Sequence, residues 1–344
     1  MRYEGWSNRY APSDVIPRLP TFADVCAAAE RIAPYAIDTP LLENAALNVR
    51  TGGRIFVKPE VLQRTGSFKF RGALNRLLLI PENERKHGVV AFSSGNHAQG
   101  VAAAAELLGM QAVIVMPSDA PQAKVAGTRA LGAEIVFYDR FKDDREAIAL
   151  AMCEDRRATL VRPFDDPWVV AGQGTIGLEI ASAAAARGIV LDAVLAPAGG
   201  GGMISGVALA LSERSPTTRT ISVEPENYDG MRRSLEAGHR TRASGGAISL
   251  ADSLMAPMPG EIPFAVARER LSPGLSVPDR LLLHAVSFAA RHLKLIVEPG
   301  GAAALAAVLS GTFEARGKAI AIVLSGGNCD METVARACAE VPEP

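Results

Sequence analysis

The chain has 344 residues, 48% of them hydrophobic and 21% charged, with a formal net charge of −1. That length supplies ample material for a buried core in two domains or one large one. The near-neutral balance, with no long block of like charge, excludes nucleic acid and anionic membrane as partners, and no apolar stretch reaches the length of a membrane span.

In chain order, the first informative segment is Arg64-Thr65-Gly66-Ser67-Phe68-Lys69-Phe70-Arg71-Gly72, a polar, glycine-punctuated run that reads as a turn feeding a helix. Gly66 supplies backbone freedom, Ser67 is an N-cap type, and 73–79 carry a helical apolar face. A lysine between two phenylalanines at a helix start is poorly solvated. Burial lowers its pKa and suits it to nucleophilic or Schiff-base work. The alternative is a surface lysine whose stem covers apolar area.

Strands are expected at 88–92, 112–116, 134–138, 192–196, 220–223 and 319–324, separated by alanine-rich helical stretches such as 95–108 and 122–131. Strands that are apolar throughout and alternate with helices indicate parallel sheets covered on both faces. The expected class is therefore α/β, with two doubly wound parallel-sheet domains. Pro81 breaks one helix, and 162–167 form a proline-flanked linker. These signals place a small inserted domain at 79–166 and a large domain at 1–78 plus 167–344, with a small-molecule site in the cleft between them.

Several turns carry chemistry. Ser93-Ser94-Gly95-Asn96-His97 follows a strand and opens a helix, where hydroxyls, an amide and free N–H groups can hold a carboxylate or phenolic oxygen. Gly172, Gly174 and Gly177 match G-x-G-x-x-G but lack a preceding strand, so a nicotinamide site is not expected. Gly199, Gly200, Gly201 and Gly202 follow the strand at 192–196, and their N–H groups can converge on an anion, typically phosphate. Ser325 stands at the tip of the strand at 319–324, placed to meet a ring nitrogen or simply to turn the chain. Glu298 precedes another helix and reads as structural. The cysteines Cys26, Cys153, Cys329 and Cys338 are scattered, which argues against disulfides or structural zinc. The N-terminus lacks a signal-peptide core, so a cytoplasmic protein is expected.

In order along the chain, the segments 65–73, 93–97, 199–202, 298–302 and 325–328 resemble the signature set of serine/threonine dehydratases and serine racemases. These are pyridoxal-phosphate enzymes of the tryptophan-synthase β-subunit fold (fold type II), and the likeness covers nearly the whole chain. The resemblance implies that Lys69 binds pyridoxal 5'-phosphate covalently and shuttles the α-proton, and that Phe68 packs on the cofactor ring. It gives Asn96 to the phenolic oxygen, the four glycines to the phosphate and Ser325 to the pyridine nitrogen. Ser93, Ser94, Asn96 and His97 fall in the segment that grips the substrate carboxylate, and Ser94 matches the second acid/base of racemases.

The implied reaction is loss of the β-hydroxyl from a β-hydroxy amino acid, L-threonine or L-serine first, followed by release as a 2-oxo acid and ammonia. Alternatives are a 3-hydroxyaspartate or aryl-serine dehydratase, a serine racemase, or a catalytically silent amino-acid-binding protein. A homodimer is implied as well. Many relatives hold a divalent cation such as Mg²⁺ through the glutamate of an E-P-x-x-x-D-D-like stretch. Here Val223-Glu224-Pro225-Glu226-Asn227-Tyr228-Asp229-Gly230 keeps Glu224 and Asp229 but has Gly230 at the second acidic position. That leaves a hard cation short of oxygen ligands.

Overall fold

The structure is a computed structural model that describes residues 18–93, 95–120 and 122–340. Its strands are β1 (Leu42–Glu43), β2 (Arg54–Pro59), β3 (Val89–Phe92), β4 (Ala112–Pro117), β5 (Glu134–Tyr138), β6 (Thr159–Leu160), β7 (Ala193–Pro197), β8 (Arg219–Pro225), β9 (Leu275–Val277) and β10 (Ala319–Leu324). They form two sheets, a six-stranded one in the order β1-β2-β10-β7-β8-β9 and a four-stranded one in the order β5-β4-β3-β6.

All pairings are parallel except β1 with β2, an antiparallel edge that the sequence did not signal. Every residue of β3, β4 and β7 is buried, which is why these strands read as unbroken apolar runs. The six expected strands are all present, with ends shifted by a residue or two. β2 escaped detection because it contains Lys58, a charged residue that is nonetheless fully buried and bonded at 2.5 Å to Glu179.

The helix Lys69–Leu78 packs against the helix Asn96–Leu107 on one side. Phe70, Leu74 and Leu77 pack into the core over β3 and β4, while its other side meets the helix Pro167–Ala185. The glycines of the formal G-x-G-x-x-G lie inside that second helix. A Cβ added at Gly172 would sit 2.7 Å from the Cα of Gly72, and one at Gly174 would sit 2.8 Å from the carbonyl oxygen of Gly206. These glycines let helices touch backbone to backbone, so they form no dinucleotide loop.

Candidate active site

The turn before Lys69 is held in a costly shape. Thr65 has φ 62°, a left-handed conformation disfavoured for a β-branched residue. Its carbonyl accepts a 2.7 Å hydrogen bond from Asn328 Nδ2. Ser67 forms an antiparallel bridge with Gly326, and the N–H of Phe68 donates to the carbonyl of Ser325 at 3.1 Å. The tip of β10 is thus stitched to the lysine turn. Ser67 does not cap the helix as its sequence position suggested. Its backbone is extended against Gly326, Phe68 takes the cap position, and the Ser67 hydroxyl is buried without a partner.

Lys69 is the first residue of its helix and lies half-buried at the carboxyl ends of the strands. Its Nζ donates to the carbonyl of Pro163 at 2.7 Å and sits 5.2 Å from the Phe68 ring centroid. Burial pulls the ammonium down to about 8, with the Glu298 charge opposing.

Beneath this helix lies a buried charge network. Arg71, fully buried, donates to both oxygens of Glu60 at 2.7 and 2.9 Å and to both oxygens of Glu179 at 2.6 and 2.8 Å. Paired forks of this kind fix geometry as well as charge.

β3 delivers Ser93, whose hydroxyl accepts from the N–H of Gly95 at 3.2 Å. Ser94 lies outside the described residues. Asn96 opens the helix Asn96–Leu107, and its Nδ2 donates to Glu298 Oε1 at 2.7 Å. Its Oδ1 accepts from Asn328 Nδ2 at 2.8 Å. His97 is buried, with Nε2 2.9 Å from the carbonyl of Val161 and, among the described residues, no partner for Nδ1. Burial, with the nearby Lys69 charge, pushes it down to about 3, so the ring is neutral.

Glu298 and Asn328 are the residues that sequence reasoning undervalued. Glu298 is buried, and burial, aided by the charge of Asp252, raises its carboxyl to about 7. It lies at the centre of the cluster because its own N–H bonds the carbonyl of Gly326. The available signal was the pairing of two glycine-rich turns, 298–302 and 325–328, each following an apolar run.

The glycine loop leaves β7 and enters the helix Gly202–Arg214, which has no side-chain cap. Among the described residues, the N–H groups of Gly199, Gly200, Gly201 and Gly202 have no hydrogen-bond acceptor. Gly201 holds φ 91°. A Cβ at Gly200 would lie 2.3 Å from the Phe164 ring, and one at Gly201 would lie 2.4 Å from Met231 Cε. Free amides at an uncapped helix start attract an anion. Ser325, also buried, ends β10 beside Phe68.

Glu224 is buried in the stretch 223–230. Its two carboxylate oxygens accept the N–H groups of Met231 and Arg232 at 2.8 and 2.7 Å. Among the described residues, no group of three or more His, Cys, Asp or Glu side chains is placed to hold a metal ion. No described helix is long and apolar enough to cross a membrane.

A half-buried lysine of lowered pKa and four unpaired amides fit an aldehyde that carries a phosphate, which is the chemistry of a pyridoxal-phosphate site. The chain belongs to the pyridoxal-phosphate dependent enzyme family, matched over residues 32–326. It is 44% identical over 318 residues to an L-threo-3-hydroxyaspartate ammonia-lyase of Pseudomonas sp, covering 92% of this chain and 98% of that protein. It is 40% identical to a serine racemase of Schizosaccharomyces pombe, covering 92% and 97%. Among solved structures, a threonine deaminase matches with TM-score 0.85 and 46% identity, covering 90% of this chain and 99% of that one.

Proposed function

We propose that the protein is a pyridoxal-phosphate-dependent carbon–oxygen lyase that eliminates water from a β-hydroxy amino acid, L-threonine or L-serine first; hydrolysis of the released imine takes that water up again, so ammonia leaves and a 2-oxo acid remains. The observation that carries this reading is the Lys69 amine, lowered to about 8, on a turn fastened to the tip of β10. When bound, pyridoxal phosphate supplies the electron sink for charge developing at the substrate Cα. The amides of 199–202 would hold its phosphate, Phe68 would cover its ring, Asn96 would meet its phenolic oxygen and Ser325 its ring nitrogen.

Lys69 Nζ, with a substantial neutral fraction near physiological pH, accepts the proton from the substrate Cα. General-base help of this kind contributes about 10²–10⁴-fold. Ser93, Ser94, Asn96 and His97 belong to the segment assigned to the substrate carboxylate, and Ser94 is the candidate second proton donor for racemisation. A second reading, a 3-hydroxyaspartate dehydratase, is favoured by the 44% identity to the Pseudomonas ammonia-lyase.

The reading includes a unit at 79–166 and another formed by 1–78 and 167–344, supported by the four-stranded sheet lying within the former. It also includes a cytoplasmic homodimer, supported by the family resemblance. The test is a panel of L- and D-serine, L-threonine and 3-hydroxyaspartate, assayed for 2-oxo acid with wild type and Lys69→Ala. Bound-cofactor absorbance without product from any of them would instead mark a binding protein.

A further inference from the structure

The stretch 223–230 is where the family resemblance implies a divalent cation, and its donors are already committed. Glu224 is fully buried and Asp229 nearly so. Two buried carboxylates require compensating positive charge or donors. Glu224 receives the N–H groups of Met231 and Arg232, one on each oxygen. Asp229 Oδ2 receives Arg232 Nε at 2.9 Å and also Arg232 Nη2. The remaining arm of the guanidinium, Nη1, reaches Glu236 at 2.7 Å.

Gly230, at the second acidic position, offers no side-chain oxygen. A hard cation takes six to eight oxygens. Here it would have to displace a guanidinium and two amides, and then sit beside the displaced positive charge. The residues present do not fit the metal.

We propose that Arg232, paired to Asp229, is a built-in replacement for that cation, and that it fixes the start of the helix Gly230–Ala237 without metal. The consequence reaches the cofactor site through one contact. Met231, the residue between Gly230 and Arg232, is fully buried, and its Cε lies 2.4 Å from where a Cβ on Gly201 would stand. The helix start therefore backs the glycine loop directly, and Arg232 is a positioning residue for that loop.

The experiment measures melting temperature and pyridoxal-phosphate affinity of the holoenzyme in EDTA, in MgCl₂ and in CaCl₂. Wild type should show neither a melting shift nor an affinity change among the three conditions. Arg232→Met should bind cofactor about fivefold more weakly in all three, and Arg232→Lys should recover part of that loss. The double variant Gly230→Asp with Arg232→Met recreates an oxygen donor. A Cβ at Gly230 would lie 3.3 Å from Pro259 Cδ and 3.7 Å from both the Met258 Cα and the Thr241 carbonyl oxygen, so the aspartate fits with a small adjustment. Its affinity and melting temperature should rise with Mg²⁺ or Ca²⁺ and fall again with EDTA, a response that a merely structural arginine would not create.

The proposal is overturned if EDTA lowers the wild-type melting temperature and Mg²⁺ or Ca²⁺ restores it. It is equally overturned if Arg232→Met keeps wild-type cofactor affinity. These two arms decide the matter even if the double variant does not fold.

Discussion

Asn96 and Glu298, 202 residues apart in sequence, are joined by a 2.7 Å hydrogen bond from the Asn96 amide to the buried carboxylate. The bond ties the first residue of the helix Asn96–Leu107, which follows β3, to the segment leading into the helix Ala303–Leu309, and the Glu298 N–H in turn bonds the carbonyl of Gly326 just past β10, so the link spans the two sheets. Asn328 closes the same cluster by donating to both Asn96 and the strained Thr65 carbonyl. Lys69 therefore sits beside a cluster in which Asn96, Glu298, Asn328 and the Thr65 carbonyl hold one another.

Glu298 also acts on Lys69 through space, its negative charge opposing the larger effect of burial. Only the neutral amine attacks a carbonyl, so the rate at which apoprotein captures pyridoxal phosphate should rise with pH through about 8. Glu298→Gln removes the charge that favours the ammonium. The midpoint should then move to lower pH by roughly half a unit to one unit. Stopped-flow absorbance across a pH series measures this, and an unmoved midpoint would show that Glu298 does not set the lysine's protonation.

The lowered Lys69 pKa has a cost in the apoprotein. The folded value is about 8 and the ordinary one 10.5. Below pH 8 the lysine is charged in both folded and unfolded states and the full desolvation cost applies. Above 10.5 it is neutral in both and the cost vanishes. Stability should therefore rise between those values, and Lys69→Met apoprotein should be about 2–3 kcal/mol more stable than wild type at neutral pH. Urea denaturation of the two apoproteins checks it; equal midpoints at neutral pH would contradict the assigned burial cost.

The glycine loop makes a separable prediction. Gly200 packs against Phe164 so closely that an added Cβ would lie 2.3 Å from the ring, and the same residue abuts Gly202, where an added Cβ would lie 3.0 Å from the Phe164 Cβ and 3.1 Å from its Cα, so the ring cannot retreat without moving the backbone beside the loop. Gly200→Ala should shift the free amides and weaken cofactor binding at least about tenfold. The far-ultraviolet circular dichroism should stay unchanged, because the distortion is confined to the loop. Equilibrium dialysis of pyridoxal phosphate gives the affinity, and wild-type binding by the variant would remove the loop from the cofactor site.

Much of this arrangement was legible from residues alone. The apolar strands β3, β4, β7 and β10 announce themselves because both faces are buried, and the 199–202 run is visible as glycine where a helix begins. β2 was not legible, because Lys58 interrupts its pattern and is compensated by Glu179, far along the chain. The role of Ser67 was misjudged for a related reason: its partner, Gly326, comes from another segment, and local capping preference cannot register a long-range bridge. Glu298 looked like an ordinary helix-leading acid until folding brought Asn96 to it.

Arg71 shows how the lysine helix is held from below. Its guanidinium spans Glu60 and Glu179, one from the end of β2 and one from the helix Pro167–Ala185. Thr175 and the carbonyl of Ile37 take further donors at 3.1 Å each. Removing the guanidinium leaves buried Glu60 facing no cation of its own, and breaking one partner of such a buried pair costs about 3–5 kcal/mol. Arg71→Met should lose that much in chemical denaturation. Arg71→Lys, which keeps the charge but not the fork, should fall between the two. Because Arg71 lies only two residues past Lys69 on the same helix, the surviving folded fraction of Arg71→Lys should also bind cofactor more weakly. A Met variant within about 1 kcal/mol of wild type would mean that Glu60 and Glu179 find other partners, and that the lysine helix is positioned by its apolar face alone.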